Sequence, residues 1–169
     1  MDDISIRVNV VLTVASLSSA TVAAIVFASP WKEIAVAVAL ASFSVGVVAF
    51  LWGYWSAVQR SRHEEISVAQ LYFLTGGVAP RRVSVVMNSM LGAQTVGGIA
   101  LALVRPSTDG RPGSTLAFGI LVPMLGLGLN GLWASRHGEF PPRRGAAGSG
   151  EVPMVTPPDG ENGQDGGHD

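Results

Sequence analysis

The residues that could bind a ligand inside a membrane lie in the last long apolar segment of the chain. Pro123 has no amide hydrogen, so we expect the helix to bend there and the carbonyl of Gly119 to be freed. Seven residues later, Asn130 offers an amide donor and an acceptor. A bent helix of this kind either packs against its neighbours or lines a small-molecule site, and packing is the favoured interpretation. Gly119, Pro123 and Asn130 are therefore the candidate packing or ligand-contact residues. Thr13, in the first apolar segment, is expected to contribute less.

Catalytic and metal-binding chemistry finds little support in the sequence. The chain has no cysteine, and it contains neither a phosphate-binding glycine loop nor a nucleophile elbow. His63, Glu64 and Glu65 are adjacent, and adjacent residues on a helix point in different directions, so we interpret them as solvated interfacial charges. The sequence shows no basic face, so we expect no nucleic-acid partner. We expect no enzymatic activity, no cofactor and no metal site.

The composition is typical of a membrane protein. Hydrophobic residues make up 48% of the chain and charged residues 14%, against about 25% charge in a soluble domain. Four charge-free segments, at residues 8–28, 34–58, 83–104 and 116–134, are long enough to cross about 30 Å of hydrocarbon as helices. They are apolar all round, which disfavours the alternating strands of a barrel. The fold class is all-α: residues 1–137 form a polytopic domain of four transmembrane helices in two hairpins.

Positive charges predict how the spans are oriented. The first segment exceeds the 7–15 apolar residues of a signal peptide, which favours a retained span. The side shared by the N-terminus, the middle loop and the C-terminus carries eight cations: Arg7, Arg60, Arg62, Arg81, Arg82, Arg136, Arg143 and Arg144. The other side carries three: Lys32, Arg105 and Arg111. The asymmetry predicts a multi-pass plasma-membrane protein with cytoplasmic N- and C-termini.

Small residues recur at helical spacing on three of the spans. Because lipid tails are as apolar as leucine, membrane helices associate through close packing at such positions. The stripes are Ser16, Ala20, Ala24 and Ala28 on the first span, Ser42, Gly46, Ala49 and Gly53 on the second, and Ser89, Ala93 and Gly97 on the third. They predict a compact bundle.

The middle loop predicts a short interfacial helix. Ser61 and Glu64 have capping-box spacing, and Gly76-Gly77 supplies a stop. The helix is expected to lie on the inner membrane surface with Tyr72 and Phe73 at the lipid boundary. A solvated connector is the alternative interpretation.

Two further segments flank the membrane domain. Arg81 and Arg82 precede the third span and are the candidate lipid head-group contacts. Residues 138–169 are rich in glycine, proline and acidic side chains, which predicts a disordered cytoplasmic tail.

Two stretches of the sequence, LTGGVAPRRV and LAFGILVPMLGLGLNGLWASRHGEFPPR, resemble small four-helix membrane proteins of actinobacteria. The resemblance covers roughly residues 71–143 and implies a bacterial source and a membrane location, but no activity. No Asp, Glu, Lys, Arg or His lies in any predicted span, which disfavours a proton or ion pathway. The favoured function is a non-enzymatic accessory or scaffold subunit of a membrane complex. Its expected partners are membrane lipids and either another membrane protein or a second copy. The alternative is a small transporter or permease for a neutral or lipid-like substrate.

Reporter fusions check the predicted orientation. Reporters fused after Arg82 and after Arg144 should be cytoplasmic, and one fused after Asp109 should be external, because the cations favour the cytoplasmic side. Enzymatic activity of compartment-specific reporters measures the side directly. An external C-terminal reporter would contradict the four-span topology.

Overall fold

The computed structural model describes residues 2–26, 28–104, 107–108, 111–112 and 115–143. Its elements in chain order are α1 (Asp2–Val26), α2 (Trp31–Arg60), α3 (Val68–Phe73), α4 (Arg81–Val104), β1 (Ser107–Thr108), β2 (Arg111–Pro112), a 3₁₀ segment (Thr115–Leu121) and α5 (Pro123–His137). β1 and β2 form one antiparallel pair of two-residue strands. Four stretches are helical, long and apolar enough to cross a membrane: Ile4–Val26, Trp31–Arg60, Arg81–Val104 and Leu116–His137. The predicted all-helical fold with four spans is confirmed.

The four spans alternate in direction, so the start of α1 lies at the same end of the bundle as the end of α2. Ile6 near the start of α1 packs against a cluster that contains Ala57 of α2, Leu71 of α3 and Trp133 of α5. We call this end of the bundle the Arg60 end. It holds the helix ends and loops that carry seven of the eight cations assigned to one side by the sequence, and Arg144 lies outside the described residues. At the opposite end, Ala23, Ala35 and Leu116 form a smaller cluster.

Helix α5 is the most enclosed of the spanning helices. It packs most extensively against α2 and also contacts α3, α4 and α1. Half of the most apolar stretch of the fourth span, Leu116–His137, is buried, against 28% for the first two spans and 17% for the third. The other three helices turn large apolar side chains outward, among them Val11, Ile25, Val48, Leu51, Val96 and Leu103. An apolar exterior around a central helix is the distribution expected of a bundle surrounded by lipid tails.

The α2–α5 contact brings two helix backbones together at glycines. A Cβ atom on Gly46 would lie 2.5 Å from the Leu125 amide nitrogen, and one on Gly128 would meet the Gly46 carbonyl oxygen. About two turns further along α2, a Cβ on Gly53 would lie 2.7 Å from the carbonyl carbon of Gly131. We call this contact the glycine crossing. The predicted small-residue stripe of the second span is confirmed, since all four of its members are buried.

The third span packs through a different face from the one predicted. Its buried residues are Met87, Leu91, Gln94 and Gly98. Ser89 of the predicted stripe is exposed, and Ala93 and Gly97 are half-buried. The prediction for this helix is wrong because it weighed residue size alone, whereas the face that meets α1 and α5 is centred on a polar side chain, Gln94.

The fourth span is interrupted at Pro123, which is the first residue of α5. The chain before it is a 3₁₀ helix, in which the Val122 amide donates to the Gly119 carbonyl at 3.1 Å. The Gly119 carbonyl that Pro123 frees therefore has a partner in its own segment. A proline at this position loses nothing, because the first amides of a helix have no intrahelical acceptor.

The middle loop contains the predicted short helix, but the helix begins later than expected. Ser67 caps α3 in a reciprocal box with Gln70: the backbone N–H of Gln70 donates to the Ser67 hydroxyl at 3.2 Å, and the backbone N–H of Ser67 donates to the Gln70 side-chain oxygen at 3.0 Å. Leu74 ends the helix in a left-handed conformation with φ 52°, ahead of Gly76 and Gly77. The expected cap at Ser61 is therefore wrong. The ring of Tyr72 is buried and points into the bundle, away from the predicted lipid boundary.

The chain after α5 stays ordered for six residues beyond the predicted start of the tail. The Glu139 amide donates to the Val78 carbonyl at 3.1 Å, and the Glu65 amide donates to the Pro141 carbonyl at 2.9 Å. The Arg143 amide donates to the His63 carbonyl at 3.0 Å. Residues 138–143 therefore close the Arg60 end by pairing with the middle loop. The rest of the predicted tail, residues 144–169, lies outside the described residues.

Alanine at Gly46 tests the glycine crossing. Gly46→Ala should lower the free energy of unfolding in detergent by about 1–3 kcal/mol, because the new methyl group must displace the α5 backbone. Gly92→Ala on α4 is the matched control, since a Cβ there has no atom within 4 Å. It should be neutral or stabilising by up to about 1 kcal/mol. If both substitutions changed the free energy of unfolding equally, the result would contradict the glycine crossing.

Candidate functional site

The first polar cluster lies where α5 begins inside the bundle. The first amides of any helix lack intrahelical acceptors, and in hydrocarbon no water replaces them. The side-chain oxygen of Gln94, which is fully buried on α4, accepts a hydrogen bond from the Gly126 amide at 3.1 Å. Gly126 has no side chain, and a Cβ there would lie 2.7 Å from that same oxygen. Gln94 therefore caps the start of α5 from a neighbouring helix.

The other end of the Gln94 amide holds α1. Its nitrogen donates to the Thr13 hydroxyl at 2.6 Å and makes a long contact of 3.4 Å with the Asn9 amide oxygen. Asn9 and Thr13 are both buried and are themselves 3.4 Å apart. We call Asn9, Thr13, Gln94 and Gly126 the Gln94 cluster. It joins α1, α4 and α5 through one side chain.

Sequence reasoning missed Asn9 and underrated Thr13. The available signal was their four-residue spacing, which places two polar groups on one face of an otherwise apolar helix. A further buried contact, 3.0 Å between the hydroxyls of Ser16 and Ser42, continues the same face towards α2. Polar groups on that face of α1 therefore meet other helices and avoid lipid.

The second polar cluster holds the last carbonyls of α3. The Asn130 amide nitrogen donates to the Tyr72 carbonyl at 2.9 Å and to the Asn88 amide oxygen at 3.1 Å. Asn88 in turn donates to the Phe73 carbonyl at 2.6 Å, and Ser84 donates to the Leu74 carbonyl at 3.1 Å. The final carbonyls of a helix lack intrahelical donors. Side chains of α4 and α5 supply those donors here.

Tyr72 fills the space beside α5. Its ring stacks on Phe50 with centroids 4.3 Å apart and planes 10° apart. A Cβ on Gly131 would lie 2.5 Å from the tyrosine ring, so the absence of a side chain there lets the ring lie against the helix. Burial raises the pKa of the Tyr72 hydroxyl to about 12, and Tyr54 adds to the rise. The hydroxyl is therefore neutral at physiological pH.

The three candidate residues of the fourth span have separate surroundings. Gly119 lies against Gly98 of α4, with 3.6 Å between its Cβ position and the Gly98 Cα. Pro123 begins α5, and Asn130 lies about 10 Å further along that helix in contact with α3 and α4. The cavity beside Gly119 measures about 10 Å³, which is room for about one water molecule. The structure does not bring the three residues together into one site.

The two candidate head-group arginines begin α4 at the Arg60 end. Arg81 and Arg82 are both exposed there. Their side chains could therefore contact lipid head groups at that end of the bundle.

Arg60 joins the end of α2 to the end of α5 and to the chain that follows it. Its guanidinium donates to the Ser135 carbonyl and to the Gly138 carbonyl, each at 3.0 Å, and pairs with Glu64 at 2.8 Å. Its charge also lies 5.2 Å from the centre of the Phe140 ring. Sequence reasoning used Arg60 for orientation alone, because its partners at Ser135 and Gly138 lie 75 and 78 residues away along the chain.

Comparisons with protein-family models, with curated proteins and with solved structures find no match to this chain. The geometry itself shows what the polar groups do. Gln94 binds a backbone amide, and Asn88 and Asn130 bind backbone carbonyls. These are the contacts of an internal framework, which holds the interrupted fourth span and the short helix α3 against the other helices.

A double-mutant cycle measures the Gln94 cluster. Gln94→Met and Thr13→Val each remove one side of the 2.6 Å hydrogen bond, and each should lower the free energy of unfolding. Their coupling energy should be about 0.6–1.7 kcal/mol, the range found for hydrogen bonds between membrane helices. Thr95→Val is the control, since the Thr95 hydroxyl bonds within its own helix. Additive effects of the first two changes would contradict the cluster.

Proposed function

We propose that this chain is a non-enzymatic accessory or scaffold subunit of a membrane complex. The observation that carries the proposal is that the buried polar groups of α4 and α5 hold the chain's own backbone. A subunit of this kind needs a fixed shape with an outer surface for its partner. The glycine crossing and the two polar clusters supply the fixed shape.

The outward face of α4 supports an association surface. Val85, Ser89, Gly92, Val96 and Leu103 follow one another at three- to seven-residue spacing, and all are exposed. A Cβ on Gly92 would have no atom within 4 Å. A partner helix can approach the α4 backbone closely at Gly92, as membrane helices do at small residues. The partner is another membrane protein or a second copy of this chain.

The positive charges support a plasma-membrane location with both termini cytoplasmic. Seven of the eight cations used for orientation belong to helix ends and loops at the Arg60 end, as the positive-inside rule requires for four spans. Arg81 and Arg82 are exposed at that end and would contact the head groups of the inner leaflet.

A small transporter or permease for a neutral or lipid-like substrate is the second candidate. One observation favours it: the Asn130 amide oxygen is buried and has no hydrogen-bond partner among the described residues. Against it, the Tyr72 ring and the α2 backbone occupy the space opened by Gly131 and Gly128. A substrate at Asn130 would have to displace Tyr72.

Replacing Gly92 with leucine separates folding from association. Gly92→Leu should keep the thermal stability of the isolated protein, because the side chain enters open space. It should reduce the amount of partner, or of dimer, recovered with the protein in mild detergent by about tenfold, since it blocks close helix approach. Chemical cross-linking in membranes before extraction provides the second measurement.

Thr21→Leu is the matched control. Thr21 is also exposed on a spanning helix, but it lies on α1 and its hydroxyl bonds within that helix. Wild-type recovery from Gly92→Leu would contradict an α4 interface. A small ligand that co-purifies with wild type and is lost in Asn130→Leu would instead support the transporter.

A further inference from the structure

A single cavity lies between α2 and α5 on the surface of the bundle, and we call it the α2–α5 groove. Its volume is about 600 Å³, which falls within the size range of small-molecule sites. The spacing of three and then four residues places its lining side chains on one face of each helix. They are Val45, Val48 and Trp52 of α2 and Leu129, Leu132 and Arg136 of α5, among others.

The groove has a closed floor and an open rim. Its floor consists of Ala49 and Leu129, which are buried beside the glycine crossing. Ala49 carries only a methyl group, so the space above it stays empty. The rim on α2 is open, because Val48 is 66% exposed and Trp52 60%. An acyl chain of the surrounding bilayer can therefore enter sideways and lie along the floor.

The groove follows both helices towards the Arg60 end of the bundle. The two helices finish together there, where the guanidinium of Arg60 donates to the Ser135 carbonyl of α5. On α5 the lining extends from Leu129 to Arg136, and α5 ends one residue later at His137. At the rise of a helix this is about 10 Å, or roughly a third of the hydrocarbon thickness. The groove thus runs in the direction of a lipid chain that belongs to the leaflet at the Arg60 end.

Polarity changes once along the groove. Val45 and Leu129 lie at the deeper end, and Arg136 lies at the end nearest to the membrane surface. Trp52 forms part of the wall, and tryptophan is enriched where acyl chains meet head groups. A phospholipid has the same order of polarity, from apolar chain to charged phosphate.

The charge of the groove comes from Arg136. Among the described residues that line it, Arg136 alone is charged, and its side chain is exposed. Within the part of the chain that the structure describes, the guanidinium has no hydrogen bond or ion pair. All of its donors are therefore open to a ligand, and a guanidinium can bind a phosphate through two parallel hydrogen bonds.

The lining also disfavours a zwitterionic head group. It contains no carboxylate among the described residues, so an ammonium group would find no anion there. The positive charge of Arg136 would instead repel that ammonium group. A head group with net negative charge keeps the phosphate contact without this repulsion.

We propose that the α2–α5 groove binds one anionic phospholipid, with an acyl chain along Ala49 and Leu129 and its phosphate at Arg136. The acyl chain is required, because every other lining residue is uncharged and most are apolar. The site is separate from Arg81 and Arg82 and from the outward face of α4. It does not depend on whether the chain is a scaffold or a transporter.

Native mass spectrometry of the full chain tests the proposal. The protein is incubated in detergent with equimolar phosphatidylglycerol, phosphatidylethanolamine and phosphatidylcholine of identical acyl chains. The wild type should retain one phosphatidylglycerol in preference to the other two lipids. Arg136→Gln should reduce retention of phosphatidylglycerol by about tenfold, which corresponds to about 1.4 kcal/mol.

Arg82→Gln is the matched control for charge. Arg82 is also an exposed arginine at the Arg60 end, but it belongs to α4 and lies outside the groove. This variant should retain phosphatidylglycerol as the wild type does. If Arg82→Gln loses as much lipid as Arg136→Gln, the retention reflects the general positive charge of this end and the proposal is overturned.

Val48→Trp tests the acyl-chain part of the site. The larger side chain should fill the groove and lower retention of phosphatidylglycerol, while thermal unfolding should match wild type because Val48 is mostly exposed. Val11→Trp is the control, since Val11 is 63% exposed on α1 and lies outside the groove. The proposal is overturned if Val48→Trp retains the lipid as fully as Val11→Trp does. It is also overturned if the wild type shows no preference among the three lipids.

Discussion

The arrangement of the bundle depends on the contact between the α2 and α5 backbones. Lipid tails provide no hydrophobic force between helices, so a membrane bundle is held by dispersion and hydrogen bonding over short distances. Gly46 and Gly128 meet with no side chain between them, and Gly53 meets Gly131 further along. This contact places α5 at the centre and leaves room beside Gly131 for the ring of Tyr72. The inward position of α3 is therefore a consequence of residues that lack side chains on another helix.

An interrupted span would be unstable in hydrocarbon if its freed backbone groups had no partners. Pro123 divides the fourth span into a 3₁₀ helix and an α-helix, and the Gly126 amide at the start of the second part is satisfied by Gln94. Because Gln94 also binds Thr13, the interruption fixes α1 and α4 relative to α5. The Gln94 cluster thus serves the break itself, whereas Asn88 and Asn130 serve the end of α3. A proline in a membrane helix requires such donors or acceptors nearby, whether or not the protein binds a ligand.

Local patterns in the sequence predicted the spans, but they did not predict the contacts between residues that are far apart along the chain. Four charge-free segments sufficed for the helices, and the small residues around Gly46 predicted the buried face of α2, since both patterns repeat within one helix. Asn130 binds the Tyr72 carbonyl 58 residues away and Gln94 binds the Thr13 hydroxyl 81 residues away, and no periodicity encodes such pairs. The start of α3 was misplaced because two capping-box spacings lie six residues apart, and tertiary contacts of the loop with residues 138–143 decide between them.

The closed interior leaves the edges of the bundle as the places where this protein meets other molecules. Two such surfaces are the apolar groove between α2 and α3, which is lined by Val58 and Leu71 among others, and the outward face of α4. A short chain of contacts joins them. Leu71 lines this groove, the carbonyl of Phe73 two residues later accepts a hydrogen bond from Asn88, and Ser89 is the next residue on α4 and faces outward. α3 is held at both ends, by its cap at Ser67 and by the hydrogen bond from Asn88 to the Phe73 carbonyl. One turn of α4 therefore holds α3 through Asn88 and also turns Ser89 outward, so the position of α3 and the exposed face at Ser89 and Gly92 depend on the same helix.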